Sequence, residues 1–162
     1  MKISKKEKIY LILTILIMVS IFLFSAQNAE DSAKISDTAY ENMDNMLRSG
    51  LPGVIADFIQ DYFRKFAHFF LYMLLGVCSF GALFEHIGER VKLKLVAEFA
   101  FCACVLYALT DELHQRFVPG RSCEWRDVCI DGLGAALGIA ILIGIRWLRK
   151  RREGSNNERG LR

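Results

Sequence analysis

Four long apolar windows alternate with polar stretches along the chain: Ile9–Ala26, Phe66–Phe84, Leu95–Thr110 and Val128–Leu148. Each approaches the ~20 residues that an α-helix needs to cross a ~30 Å hydrocarbon core, the third only if Asp111–Gln115 prolongs its helix. In lipid every backbone donor and acceptor must be satisfied within the protein, so windows of this length predict helices. A transmembrane barrel requires apolar and polar residues to alternate, and none of the four windows does so. The pattern predicts an all-α, polytopic membrane protein with four transmembrane helices.

The polar stretches carry finer patterning. Gln27–Asp61 holds seven acidic residues against Lys34 and Arg48. Tyr40, Met43 and Leu47 recur at helical spacing, as do Val54, Ile55, Phe58, Ile59 and Tyr62 beyond the Pro52-Gly53 break. This predicts two short amphipathic helices lying on the membrane surface in the first loop. In the fourth window Gly134 and Gly138 form a G-x-x-x-G pair, with Ala135 adding to a smooth face that suits close packing against another helix of the same chain. No internal repeat and no separable soluble domain is visible. Residues 1–150 read as one transmembrane domain and 151–162 as a basic, disordered tail.

Composition agrees with a membrane assignment: 53% of the 162 residues are hydrophobic. The charge adds orientation. Fourteen of the 21 Lys and Arg residues fall in the amino-terminal tail (Lys2, Lys5, Lys6, Lys8), the loop after the second window (Arg90, Lys92, Lys94) and the carboxyl tail from Arg146 onward. With four spans these all lie on one side, and the positive-inside rule places both termini in the cytoplasm of a cytoplasmic-membrane protein. The net charge of +3 is thus a topology signal, and nothing else in the chain supports nucleic-acid binding. The first window reads as a retained anchor rather than a cleaved signal, because its apolar run exceeds the usual 7–15 residues and the flanking residues make poor cleavage sites. The five cysteines form neither a disulfide framework nor a C-x-x-C site.

A dense polar block, Asp111-Glu112-Leu113-His114-Gln115, follows the third window, with Arg121, Arg126, Asp127 and Asp131 leading into the fourth. A charged side chain at bilayer depth costs roughly 2.5–3.5 kcal/mol on insertion scales, so such residues face protein or water. Four antiparallel spans bring them to the same end as Lys65, His68 and Tyr72 of the second window. Helical spacing places His68 with Tyr72, Asp111 with His114 and Gln115, and Asp127 with Asp131 on shared faces. The prediction is an outward-opening cavity in which His68, Asp111, Glu112 and His114 are candidates for acid–base chemistry, and Lys65, Tyr72, Gln115, Arg121, Asp127 and Asp131 for ligand binding.

A His–carboxylate pair can serve as base and orienter, while Arg121 suits a phosphate or carboxylate. His68, His114, Asp111 and Asp127 could also hold a divalent metal. However, Glu112-x-His114 lacks the second histidine of the H-E-x-x-H zinc helix, and no metal or cofactor is assigned. No serine elbow and no Gly-rich phosphate loop is present, which removes support for serine hydrolases and nucleotide enzymes. A purely structural ion-pair network, Arg121 with Asp111 or Asp127, is the plain alternative.

His68 with Tyr72 and Gly76, Asp111-Glu112-x-His114-Gln115 leading to Pro119-Gly120-Arg121, and Asp127 with Asp131-x-x-Gly134-x-x-x-Gly138 resemble the VanZ-like family, as does Phe24-Ser25-x-Gln27. Asp131 departs from the Asn that many members carry there. The resemblance, from Ile9 to Leu148, implies a small integral membrane protein of the cell envelope, in a family named for association with teicoplanin resistance. Three function classes follow. One is a binding or envelope-modulating protein whose outer pocket engages a membrane lipid, a lipid-linked envelope molecule or a lipoglycopeptide. The second is a membrane-embedded hydrolase or transferase acting on such a molecule. The third is a transporter, weakened by the absence of inverted repeats.

Overall fold

A computed structural model describes residues 3–26, 53–88, 90–118 and 124–160, with 53–64 and 155–160 as backbone only. The chain folds into four helices: α1 (Lys5–Ala26), α2 (Gly53–Ile87), α3 (Leu93–Gln115) and α4 (Trp125–Gly160). All four contain a segment long and apolar enough to cross a membrane, and no strand occurs among the described residues. The polar segment after Thr110 does continue the third helix, carrying it through Gln115 and bringing it to 23 residues.

One expectation is corrected at a helix end. The segment Val54–Tyr62 is the first part of α2, not a separate surface helix, because α2 runs unbroken from Gly53 to Ile87. Charges at Arg64 and Lys65 make a helix unwelcome in lipid but do not interrupt its backbone bonds; proline does, and no proline follows Gly53 within this helix. The expected helix around Tyr40–Leu47 lies outside the described residues. At the other terminus α4 continues to Gly160, through residues read from composition as a disordered tail. Arg149–Arg152 are good helix formers and extend the helix already started in the apolar segment, which requires no new nucleation.

The core forms in two layers. Ile21, Tyr72, Leu75, Cys104, Ala108 and Ala135 are buried together nearer the polar end, and Phe80, Val96, Ala100, Ile139 and Leu142 nearer the other. The broadest interface joins α2 to α4. Glycine makes it possible: a Cβ on Gly134 would meet the Phe69 carbonyl oxygen, one on Gly138 that of Met73, and one on Gly76 that of Ala135. The G-x-x-x-G face is thus used within the chain, where small residues let two backbones touch without the exclusion of water as a driving force. α1 is peripheral. Ile12, Ile15, Leu16, Val19 and Leu23 point outward, and the hydroxyls of Thr14 and Ser20 donate to the carbonyls of Tyr10 and Leu16, so that neither is left unpaired in lipid. Where α1 does meet α2, Gly81 admits the Tyr10 ring.

The end opposite the polar block is held by a His–carboxylate hydrogen bond and an ion pair. Glu7 Oε1 lies 2.7 Å from His86 Nδ1, and Arg146 donates to Glu85 Oε1 at 2.6 Å while stacking over Phe84. Glu7 also closes a capping box: its backbone N–H donates to Ser4 Oγ at 3.0 Å, and the Ser4 N–H donates to Glu7 Oε2 at 3.2 Å. One carboxylate therefore starts α1 and ties it to α2. Glu7→Ala is expected to lower stability by about 1–3 kcal/mol through both losses. Denaturant titration of the purified protein in detergent measures this, and a variant within 0.3 kcal/mol of wild type would show that neither contact matters.

Candidate functional site

The four helices alternate in direction, so the end of α1, the first membrane turns of α2, the end of α3 and the start of α4 meet at one end of the bundle. On α2, Lys65, His68 and Tyr72 follow one another by three and four residues and share a face. On α4, Asp127 and Asp131 do the same, with Glu124 one turn earlier. Asp111 and Gln115 stack on α3. Into this set α1 places Ser25, which is completely buried.

Asp111 anchors the deepest hydrogen bonds. The Ser25 hydroxyl donates to Asp111 Oδ2 at 2.8 Å, and Gln115 Nε2 donates both to that oxygen and to Ser25 Oγ, each at 3.2 Å. His68 stands between two carboxylates, with Nδ1 at 4.0 Å from Asp111 Oδ2 and 3.9 Å from Asp131 Oδ2. Both distances exceed hydrogen-bond range, so a movement of about an ångström would bring the ring onto either acid. Toward the rim, Lys65 Nζ lies 3.0 Å from Asp127 Oδ1 and 3.3 Å from Glu124 Oε2. Glu112 is buried and accepts the backbone N–H of Glu124, fixing the start of α4 to the end of α3. Beneath His68, the buried Tyr72 ring lies 6.3 Å from Tyr107, whose hydroxyl donates to the Met18 carbonyl at 2.7 Å.

Lys65, His68, Gln115, Asp127, Ile130 and Asp131 line a cleft with a cavity volume of about 10 Å³. That is on the scale of one water molecule. Asp111 Oδ1, Asp131 Oδ1 and the Tyr72 hydroxyl are buried without a hydrogen-bond partner among the described residues. Asp111 and Asp131 are each only 4% exposed.

Seven of the ten residues singled out from sequence thus cluster here: Lys65, His68, Asp111, Gln115, Asp127 and Asp131 around the cleft, and Tyr72 beneath it. Glu112 stands behind the cleft as a brace. His114 does not line it. Its ring stacks on Phe22 of α1 with centroids 4.7 Å apart, because a residue three positions beyond Asp111 is turned by about 60° toward the neighbouring helix. Arg121 lies outside the described residues; among the described ones, Lys65 pairs with Asp127 and Ser25 donates to Asp111. Among the described residues no three His, Cys, Asp or Glu side chains are arranged to share a metal ion.

Sequence reasoning passed over Ser25 and Glu124 as site residues. The only sign of the first was its place in Phe24-Ser25-x-Gln27, since a serine in a lipid-facing helix ordinarily bonds its own backbone. Chemically, the assembly can bind a donor group, relay a proton through His68, or both; the Ser25 hydroxyl, buried and already committed to Asp111, is not positioned as a nucleophile.

A family model described as VanZ/LLP1 matches residues 10–148, most of the chain and every residue of this site. No curated protein sequence and no solved structure matches.

Proposed function

Because the chain belongs to the VanZ/LLP1 family, we propose that its cleft engages the polar part of an amphiphilic envelope molecule, a lipid, a lipid-linked precursor or a lipoglycopeptide, and so contributes to teicoplanin-type resistance. In this reading the protein sits in the cytoplasmic membrane with both termini in the cytoplasm, as the fourteen basic residues of one side suggest, and the cleft opens to the outer face. The observation that carries the reading is the pair of buried, unpartnered carboxylate oxygens, Asp111 Oδ1 and Asp131 Oδ1, beside a cleft at the end of a membrane bundle. A scaffold gains nothing from stranded acceptors, each costing about 1–3 kcal/mol, whereas a binding site needs them open.

A second reading, a membrane-embedded hydrolase or transferase, draws support from His68, poised between two acids as a base that one carboxylate orients and the other relieves. The two readings separate in mutants. An enzyme loses turnover on His68→Ala with binding kept, while a binding pocket loses affinity.

The test is teicoplanin and vancomycin susceptibility of a sensitive Gram-positive host expressing wild type, His68→Ala, Asp111→Asn or Arg121→Ala at matched membrane levels. Wild type is expected to raise the teicoplanin inhibitory concentration at least fourfold, and His68→Ala and Asp111→Asn to abolish the gain. Protection that survives every substitution would reduce the cleft to scaffold, and no protection by wild type would remove the resistance role.

A further inference from the structure

The unmet demand in the cleft has a sign. Asp111, Glu112, Glu124, Asp127 and Asp131 gather at this end, and among the described residues facing them the one side chain with a permanent positive charge is Lys65. Lys65 is engaged at the rim by Asp127 and Glu124; of the inner pair, Asp111 Oδ2 accepts from Ser25 and Gln115, and His68 stands 3.9–4.0 Å from both carboxylates. Beside the Tyr72 hydroxyl, the atoms left over here are carboxylate acceptors. Asp131 Oδ1 lies in the wall of the cleft on a residue 96% buried, and Asp111 Oδ1 is equally enclosed. A phosphate or carboxylate would add negative charge beside these oxygens and bring no donors. Buried carboxylates require a cation or donors, and an uncompensated one is strongly unfavourable.

Size narrows the choice further. A cleft of about 10 Å³ has room at its base for one water-sized group, which favours a compact ligand head. An ammonium is compact, carries a full charge and presents three donors. The rim already displays the same chemistry, for Lys65 Nζ sits at 3.0 Å from Asp127. We propose that the cleft recognises the primary ammonium group of an amphiphile, which enters between α2 and α4 and donates to Asp131 while the rest of the molecule remains at the membrane surface. This rests on the amphiphile-binding reading above and gives that reading a ligand class. Aminophospholipid headgroups and amino sugars on a lipid both carry such a group.

Affinities would be measured for the full chain purified in a non-ionic detergent, using two matched pairs of probes. One is dihexanoyl phosphatidylethanolamine and its N-acetyl derivative; the other is octyl glucosaminide and its N-acetyl derivative. In at least one pair the free amine is expected to bind ten or more times tighter than the acetylated form, and the pair that shows it identifies the source. Asp131→Asn, which keeps the side-chain shape, should erase the preference, while Gly144→Ala, remote from any neighbour, should retain it.

Equal binding of amine and N-acetyl forms to wild type overturns the ammonium assignment without depending on any variant. So does a preference that survives Asp131→Asn, because the amine would then sit elsewhere. If such unselective binding still weakens in His68→Ala, the amphiphile reading stands and only the ligand class fails; if no probe responds to any cleft substitution, both fail together.

Discussion

Replacing Gly138 with leucine is expected to leave little or no folded protein in the membrane. Inserting methylenes into a packed core typically costs about 1–3 kcal/mol because neighbouring side chains can shift rotamer. Here the neighbour is the Met73 carbonyl, part of a helix backbone, and a Cβ at Gly138 would already fall inside the 3.0 Å that real Cβ atoms respect. α2 and α4 would have to separate along the interface that also carries Gly134 against Phe69 and Gly76 against Ala135. The loss should therefore exceed the usual range, and it should carry the cleft with it, since Lys65 and His68 stand on one of these helices and Asp127 and Asp131 on the other. Gly144 supplies the control. Nothing lies within 4 Å of its position, so Gly144→Leu should change stability by no more than about 0.5 kcal/mol. Membrane-extracted yield and thermal unfolding in detergent would read both. Similar losses in the two variants would mean that bulk in α4, rather than backbone contact, sets the limit.

Ser25→Val should have the second large effect. Ser25 is completely buried and has two connections: its hydroxyl donates to Asp111 Oδ2 at 2.8 Å and accepts from Gln115 Nε2 at 3.2 Å. Valine removes both, leaving a buried carboxylate with one donor fewer and a buried amide with one acceptor fewer. At about 0.5–1.5 kcal/mol for each hydrogen bond lost, and more where the acceptor is charged, the variant should be clearly less stable. A double-mutant cycle with Asp111→Asn isolates the contact, and an interaction energy of about 1–2 kcal/mol is expected between residues that touch. A cycle that closes to zero would mean that α1 is held without this bond. Ser25 also acts on the site at a distance from any ligand. With one of its two donors gone, Asp111 is held only by Gln115 and can turn more readily toward His68, so ligand affinity should change even where the protein remains folded.

Much of this architecture was legible in the residues. The four spans follow from apolar length alone, and their antiparallel order brings Lys65, His68, Asp111, Asp127 and Asp131 to one end before any contact is known. Gly134 and Gly138 announced a close helix contact, although not that α2 would be the partner. What escaped has a common cause. Ser25 with Asp111 and Glu7 with His86 are separated by 86 and 79 residues, and no periodicity links positions so far apart. His114 was grouped with Asp111 because helical spacing places them on neighbouring turns, yet the 60° between them is enough to send one into the cleft and the other against Phe22. The amphipathic stretch after Pro52 looked like a separate surface helix because hydropathy reports where lipid ends, whereas a helix ends only where its backbone bonds are interrupted.

The peripheral helix has one more property. α1 is fastened at both ends by polar contacts, Glu7 to His86 and Ser25 to Asp111, and the eighteen steps between them rise by about 27 Å along the helix axis. Hydrocarbon cores measure about 30 Å and vary by a few ångströms between membranes. The two fastenings thus act as the marks of a ruler. In a much thicker bilayer one of them must be drawn into the hydrocarbon, and in a thinner one the helix must tilt between fixed points. The polar site, attached to one mark, therefore sits at a depth that the molecule itself has measured.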